Sequence, residues 1–128
     1  MENYSLDTHS LVWYIRGFST LSPTAKDIIA KIYRGEANGF ISTMVVLEAF
    51  YISLKHKTFA FSSFLEKIKR PNIRVIPFDN EVLVKTFELP AELDTHDRII
   101  AATAVVTSTP LVTKDRILRA SFPKFTIW

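Results

Sequence analysis

The chain has 128 residues, which suits one compact domain spanning residues 1–128, and 48% of them are hydrophobic, as in a globular protein with a substantial core. It contains no cysteine, which excludes a disulfide framework, a zinc–thiolate site and a thiol nucleophile, and which favours a cytoplasmic location. The net charge of +3 is compatible with a polyanionic partner such as nucleic acid, and equally with a slightly basic protein that has no such partner. No apolar stretch approaches the roughly 20 residues needed to cross a bilayer, so we expect no membrane association.

The first third of the chain predicts a strand followed by two helices. A short strand over residues 4–6 precedes a helix or turn over residues 8–14. Ser22 is a suitable N-cap and Pro23 suits the first helical position, so the next helix begins there. The apolar residues that follow repeat at helical spacing, and Gly35 ends this helix.

The rest of the chain continues the alternation of short apolar strands with longer helical patterns. A strand over residues 39–41 leads into a helix that Ser42 or Thr43 caps and that reaches about residue 55, and Thr58 is expected to cap the next helix. The remaining elements follow in this order: a strand over 73–76, a short helix capped by Asp79, a helix from Asp94 to about residue 106, and strands over 111–113 and 125–127. This alternation predicts an α/β layer fold around a mainly parallel sheet, in which sites form beyond the carboxyl ends of the strands.

Four carboxylates stand against apolar segments, where an ionised side chain is costly to bury: Asp7, Glu48, Asp97 and Asp115. Such acids need a partner, a metal ion or a raised pKa. Asp7 and Asp115 both follow predicted strands and therefore lie at the edge of the sheet where sites form. If the fold brings all four together, an oxygen-only cluster of this kind favours a hard cation such as Mg²⁺ or Mn²⁺.

These acids also have purely structural interpretations. Asp7 can cap the helix that follows it, and Asp115 can cap a turn or pair with Lys114 and Arg116. These two basic residues could equally contact a phosphate. Glu48 is the only polar residue within 44–52, so its helix is expected to be buried nearly all round and its carboxylate to need a cation, a donor network or a proton. An ion pair with a distant Arg or Lys is the alternative to a metal. Thr113 is an accessory candidate whose hydroxyl would bind a metal-bound water.

Asp94 and Asp97 stand three residues apart, a spacing typical of a helix-capping box. We favour Asp94 as the cap or an accessory acid and Asp97 as the metal ligand, kept ionised because the helix dipole lowers its pKa. The three histidines share no ligand spacing on one helix, so the sequence predicts no zinc site at His9, His56 or His96.

Basic residues gather at 55–57 and at 67–70. The usual interpretation of such clusters is a solvated helix face, and the functional alternative is a groove that follows a phosphate backbone. Both interpretations stay open on the sequence.

Several segments, taken in order, resemble the motifs of one family. Residues 6–13 (LDTHSLVW) resemble the opening of PIN-domain ribonucleases, especially the toxin subunits of VapBC toxin–antitoxin pairs. Leu47-Glu48, residues 97–104 (DRIIAATA), residues 111–115 (LVTKD) and the closing Ile127-Trp128 resemble the later motifs. The match spans essentially the whole chain, and the ordered set is more specific than any single motif.

The resemblance implies a three-layer α/β/α PIN-like domain with a mainly parallel five-stranded sheet. It also implies cleavage of RNA phosphodiester bonds by metal-activated water, with one or two Mg²⁺ or Mn²⁺ ions held by Asp7, Glu48, Asp97 and Asp115. A homodimer and a protein antitoxin are usual in the family. Many relatives carry a proline before the third acid, where this chain has the sequence LDTH, so the role of Asp94 stays open.

Two other functions fit parts of the pattern. A signalling receiver domain is also a small α/β fold with acids at strand ends and a lysine, here Lys114, and Asp79 would then be its phosphoacceptor. A catalytically silent PIN-like binding module would keep the fold without turnover, and the retention of all four acids counts against it.

Overall fold

Five strands form a central sheet in the computed structural model, which describes all 128 residues. The strands are β1 (Asn3–Leu6), β2 (Asn38–Ser42), β3 (Ile73–Ile76), β4 (Leu111–Val112) and β5 (Thr126–Ile127). Their order across the sheet is β3-β2-β1-β4-β5, and every neighbouring pair is parallel. The predicted α/β fold with a five-stranded, mainly parallel sheet is therefore confirmed.

The helices that connect and flank the strands are α1 (Thr8–Arg16), α2 (Pro23–Tyr33), α3 (Thr43–Lys55), α4 (Phe61–Ile68), α5 (Asn80–Thr86), α6 (Thr95–Val106) and α7 (Arg116–Ser121). Four of them, α2, α3, α5 and α6, begin where the local sequence predicts. The Ser22 hydroxyl accepts a hydrogen bond from the Ala25 backbone N–H at 3.1 Å, and the Ser42 hydroxyl accepts one from Met44 at 3.0 Å. No helix here combines the length and the apolar character that a membrane crossing requires.

The register of the central strands determines which residues leave the sheet together. β1 lies between β2 and β4, and Leu6 is aligned with Val112. The Asp7 backbone N–H continues this pairing by donating to the Val112 carbonyl at 3.2 Å. Asp7 and Thr113 therefore lie side by side at the carboxyl edge of the sheet, where α/β folds place their sites.

The expected helix cap at Thr58 is wrong. α4 begins after Ala60, which makes no side-chain capping bond. The Thr58 hydroxyl instead accepts a hydrogen bond from the Arg16 guanidinium at 3.0 Å. The hydroxyl is therefore engaged by a side chain from α1, a contact that the local sequence does not reveal.

The expectation that α3 is buried nearly all round is also wrong. Val45 and Ala49 are its buried residues. Leu47, Tyr51 and Leu54 are 45%, 53% and 62% exposed, because their side of the helix faces solvent. The apolar residues of this helix are thus divided between one buried side and one solvent-exposed side.

The position of β3 contradicts the receiver interpretation. β3 is an edge strand, separated from β1 by β2. Asp79 follows β3 and caps α5, where its carboxylate accepts a hydrogen bond from the Val82 backbone N–H at 3.0 Å. Asp79 is therefore committed to a helix cap at the side of the sheet, away from the acid that follows the central strand.

Candidate active site

A cavity of about 300 Å³ opens at the carboxyl edge of the central strands. It is lined by three of the four acids singled out in the sequence, together with two aromatic or imidazole rings and two basic side chains: Asp7, Asp97, Asp115, His9, Trp13, Lys114 and Arg116. The fold therefore brings together carboxylates that are separated by up to 108 positions along the chain.

Asp7 is the most buried of these acids, with 9% of its surface exposed. One carboxylate oxygen accepts a hydrogen bond from the Ser10 backbone N–H at 2.9 Å, which caps α1, and the other accepts one from the Thr113 hydroxyl. Burial raises the pKa of Asp7, and the hydrogen bonds from Ser10 and Thr113 offset part of that rise. Asp7 thus caps a helix and also faces the cavity.

Asp97 lies in the first turn of α6, where its backbone N–H donates to the Asp94 carboxylate at 2.8 Å. Asp94 is therefore the N-cap, as predicted. The pKa of Asp97 is raised to about 7, first by burial and then by the negative charges of Asp115, Asp94, Glu48 and Asp7. The expectation that the helix dipole lowers this pKa is wrong, because burial and the neighbouring carboxylates outweigh the dipole.

Asp115 is joined to Asp7 through Thr113. The fully buried Thr113 hydroxyl donates to Asp7 and accepts a hydrogen bond from the Asp115 backbone N–H at 3.0 Å. The Asp115 carboxylate in turn caps α7 by accepting from Leu118 at 2.8 Å. Thr113 therefore fixes the positions of two acids through a single hydroxyl.

Glu48 lies beside the cavity instead of lining it. Its side chain is 25% exposed, and its carboxylate is held by the Thr8 hydroxyl and by His96 Nδ1, the latter at 3.0 Å. The alternative prediction that a distant Arg or Lys pairs with Glu48 is wrong, because the side chain that pairs with this carboxylate is His96. Thr8 and His96 are the chain neighbours of Asp7 and Asp97, so this pair of bonds fixes Glu48 relative to both.

The sequence predicted no functional role for two residues that line the cavity, His9 and Trp13. His9 stacks on Trp13, with ring centroids 5.4 Å apart, and the Lys114 ammonium lies 5.7 Å from the Trp13 ring. The four-residue separation of His9 and Trp13 on α1 is a sequence signal for this contact, because such pairs face each other on a helix.

The donor chemistry of the cavity suits a hard divalent cation, although no three acidic or imidazole side chains are grouped so as to hold a metal ion as they stand. The three lining carboxylates are oxygen ligands of the type that Mg²⁺ and Mn²⁺ prefer. Burial first, and then the negative charges of the neighbouring acids, raise the pKa of Asp97, and a bound cation would favour its ionised form.

Comparisons with known proteins identify the architecture. A family model described as PIN domain matches residues 4–121, while a comparison with curated proteins finds no match. A chain of VapBC2 from Rickettsia felis, solved bound to a DNA fragment from their promoter, gives a TM-score of 0.72 at 19% identity, covering 98% of this chain and 97% of that one.

Two further solved structures are similar over 98% of this chain and 96% of theirs, each at 17% identity. They are FitAcB from Neisseria gonorrhoeae, with a TM-score of 0.71, and a toxin–antitoxin complex from Klebsiella pneumoniae, with a TM-score of 0.68. At identities this low, the structural similarity establishes a shared fold and nothing finer.

Proposed function

The chain belongs to the PIN-domain family, whose members are generally nucleases, and we propose that it is a Mg²⁺- or Mn²⁺-dependent endoribonuclease. One observation carries the proposal. Asp7, Asp97 and Asp115 line a single cavity at the carboxyl edge of the sheet, and their mutual repulsion contributes to the raised pKa of Asp97. A site that concentrates carboxylates in this way is suited to a divalent cation and a phosphate substrate.

The residues that would hold the cation are Asp7, Asp97 and Asp115, with Glu48 contributing from beside the cavity. When bound, the cation would neutralise charge on the phosphoryl oxygens and promote in-line attack by water. The carboxylate of Asp7 is kept in place by the Ser10 backbone and the Thr113 hydroxyl. Such pre-positioning means that little reorganisation accompanies the chemical step.

The basic side chains of the cavity would contact the RNA backbone. Lys114 and Arg116 are exposed residues on either side of Asp115, and both line the cavity. Their charges would attract a phosphate to a site that is otherwise acidic and would stabilise the additional negative charge on the phosphate during cleavage. In this role the two side chains bind and orient the substrate, while the carboxylates hold the cation.

The proposal extends to the biological setting, in which this chain would be the toxin of a toxin–antitoxin pair and form a homodimer. The similar structures from Rickettsia felis and Klebsiella pneumoniae, a VapBC2 complex and a toxin–antitoxin complex, support that setting. Val84 and Phe87 at the end of α5 are 56% and 73% exposed, and such apolar patches are typical of protein interfaces. A short neighbouring gene that encodes a DNA-binding antitoxin would provide independent support.

Incubation of the purified chain with single-stranded RNA tests the nuclease proposal. Internal cleavage is expected in the presence of Mg²⁺ or Mn²⁺, and a chelator should abolish it. The remaining alternative is the catalytically silent PIN-like binding module. Intact RNA at every metal concentration, together with no heat of Mn²⁺ binding at millimolar concentration, would favour that module over the nuclease.

A further inference from the structure

A second cavity lies beside the acidic one, and the proposed chemistry leaves most of its lining unused. Its volume is about 450 Å³, and it contains all three histidines of the chain: His9, His56 and His96. Tyr51, Lys55 and Glu48 from α3 form another side of it. The fold thus gathers imidazoles that are dispersed over 87 positions, a convergence that the sequence spacing does not indicate.

The α3 residues of this cavity form an ordered stripe. Glu48, Tyr51 and Lys55 are spaced by three and four residues, so they lie on one face of the helix in successive turns. The rise of an α-helix separates Glu48 from Lys55 by about 10 Å along its axis. A carboxylate, an aromatic ring and an ammonium therefore follow one another along the stripe, away from the acidic cavity.

The two cavities are adjacent and share His9 in their lining. Glu48 is hydrogen bonded to Thr8 and His96, which are adjacent in the chain to Asp7 and Asp97. If the scissile phosphate of an RNA strand occupied the acidic cavity, the next nucleotide of that strand would therefore lie against the stripe.

The lining chemistry of the second cavity suits a nucleotide better than a metal ion. Its acidic and imidazole side chains are not grouped so as to hold a metal. The Lys55 ammonium and the imidazole N–H groups are hydrogen-bond donors to a phosphate, and the 53% exposed Tyr51 offers a ring for base stacking. Glu48 is the one carboxylate present, and both of its oxygens already accept hydrogen bonds.

We propose that this cavity is a subsite for the RNA nucleotide next to the cleaved bond, with its base on Tyr51 and its outer phosphate on Lys55 and His56. The inference rests on the proposed endoribonuclease function and adds to it a defined path for the substrate. Stacking on an aromatic side chain tolerates every base, so the subsite contributes affinity and register more than sequence preference.

Binding of a labelled single-stranded RNA oligonucleotide, measured by fluorescence anisotropy in an Asp97→Asn background, tests the subsite without cleavage. Tyr51→Ala should weaken binding about tenfold, and Tyr51→Phe should retain it because the ring is kept. Lys55→Ala should weaken binding and lower the slope of log affinity against log salt by about one. Lys57→Ala is the matched control, since Lys57 carries the same charge on the same segment outside the cavity.

The outcomes separate this inference from the function on which it rests. If RNA binds and the wild type cleaves it, but Tyr51→Ala and Lys55→Ala bind as tightly as Lys57→Ala, the subsite is overturned and the nuclease stands. Equal losses in Tyr51→Ala and Tyr51→Phe would overturn the stacking role. If the wild type neither binds nor cleaves RNA, both proposals fall.

Discussion

At the scale of single residues, the arrangement of carboxylates around Asp97 determines the acid–base behaviour of the cavity. Asp97 has a pKa of about 7 because it is partly buried and faces four other acids. Burial also raises the pKa of Asp7. Both groups therefore hold protons more tightly in the folded chain than in the unfolded one. This difference in proton binding makes the free energy of unfolding depend on pH in a predictable direction.

The metal-free protein should lose stability as the pH rises. Asp97 titrates near 3.8 when unfolded and near 7 when folded, so its contribution to stability is complete below the lower value and is lost on passing through the upper one. Asp97→Asn should flatten this dependence and, at about pH 8, exceed the wild type in free energy of unfolding by about 1 kcal/mol, a value reduced for solvent screening.

Urea unfolding with a chelator present, at about pH 5 and about pH 8, measures this effect. Glu92→Gln, at an exposed acid outside the cavity, is the control and should keep the wild-type slope. An Asp97→Asn slope as steep as that of the wild type would contradict the assigned pKa.

Thr113 links two acids, and its hydroxyl should be required by both. Thr113→Val keeps the shape of the side chain but removes the donor to Asp7 and the acceptor for Asp115, so we expect a loss of about 1–3 kcal/mol in stability and a reduced cleavage rate. Thr113→Ser should restore most of both. Denaturant unfolding and RNA cleavage report the two losses, and a fully active Thr113→Val would rule out this positioning role.

At the scale of elements, Arg98 holds the connection from α5 to α6. Its guanidinium donates to the carbonyls of Thr86, Leu89, Pro90 and Leu93 at 2.9, 3.1, 2.7 and 3.2 Å. The segment that leads to Asp94 is thus ordered by a side chain from the helix it precedes. We expect the position of Asp97 in the cavity to depend on this arrangement.

Arg98→Lys should therefore destabilise the protein although it keeps the charge. A lysine ammonium cannot reproduce the planar fork that reaches four carbonyls, and we expect a loss of about 2 kcal/mol. Hydrogen exchange should increase in residues 86–94, and the cleavage rate should fall. Arg119→Lys, at an exposed arginine of α7, is the control. Unchanged exchange in residues 86–94 would show that the four bonds do not order the segment.

Elements and caps were predictable where their causes are local. The caps at Ser22, Asp79 and Asp94 follow from side-chain chemistry within one helical turn. Thr58 was mispredicted because its partner, Arg16, belongs to a distant helix. For the same reason, apolar composition indicated a helix at α3 but not which of its sides would be covered.

The candidate site was predictable to a similar extent. Asp7 and Asp115 could be placed because parallel strands end at one edge, and Asp97 because Asp94 caps its helix. Glu48 could be recognised as costly to bury, but its bond to His96 spans 48 positions and depends on how α3 packs beside α6. The clustering of the histidines is hidden for the same reason.

At the scale of the whole molecule, the exposed large apolar side chains lie mainly in two segments, of which one is α3 and the other contains β3 and α5. β3 is an edge strand, and the segment that contains it and α5 exposes five large apolar residues: Val75, Phe78, Leu83, Val84 and Phe87. An edge strand beside such a patch favours association with another chain. We therefore expect the proposed homodimer to form through this surface.

Phe87→Glu tests that expectation, since Phe87 is 73% exposed and its replacement costs little packing within one chain. Sedimentation should show a dimeric wild type and a largely monomeric Phe87→Glu with unchanged thermal stability of the monomer. Leu54→Glu, on the exposed side of α3, is the control. A Phe87→Glu dimer as stable as that of the wild type would place the interface elsewhere.

We propose that the cavity formed by Asp7, Asp97 and Asp115 cleaves RNA. The most direct test compares the Mg²⁺- or Mn²⁺-dependent cleavage rates of Asp97→Asn and Asp94→Asn, two identical charge changes three residues apart. Asp97→Asn should lower the rate about a hundredfold or more, because a cavity carboxylate is lost. Asp94→Asn should stay within about tenfold of the wild type, since asparagine still caps α6. Equal rates in the two variants would contradict the account.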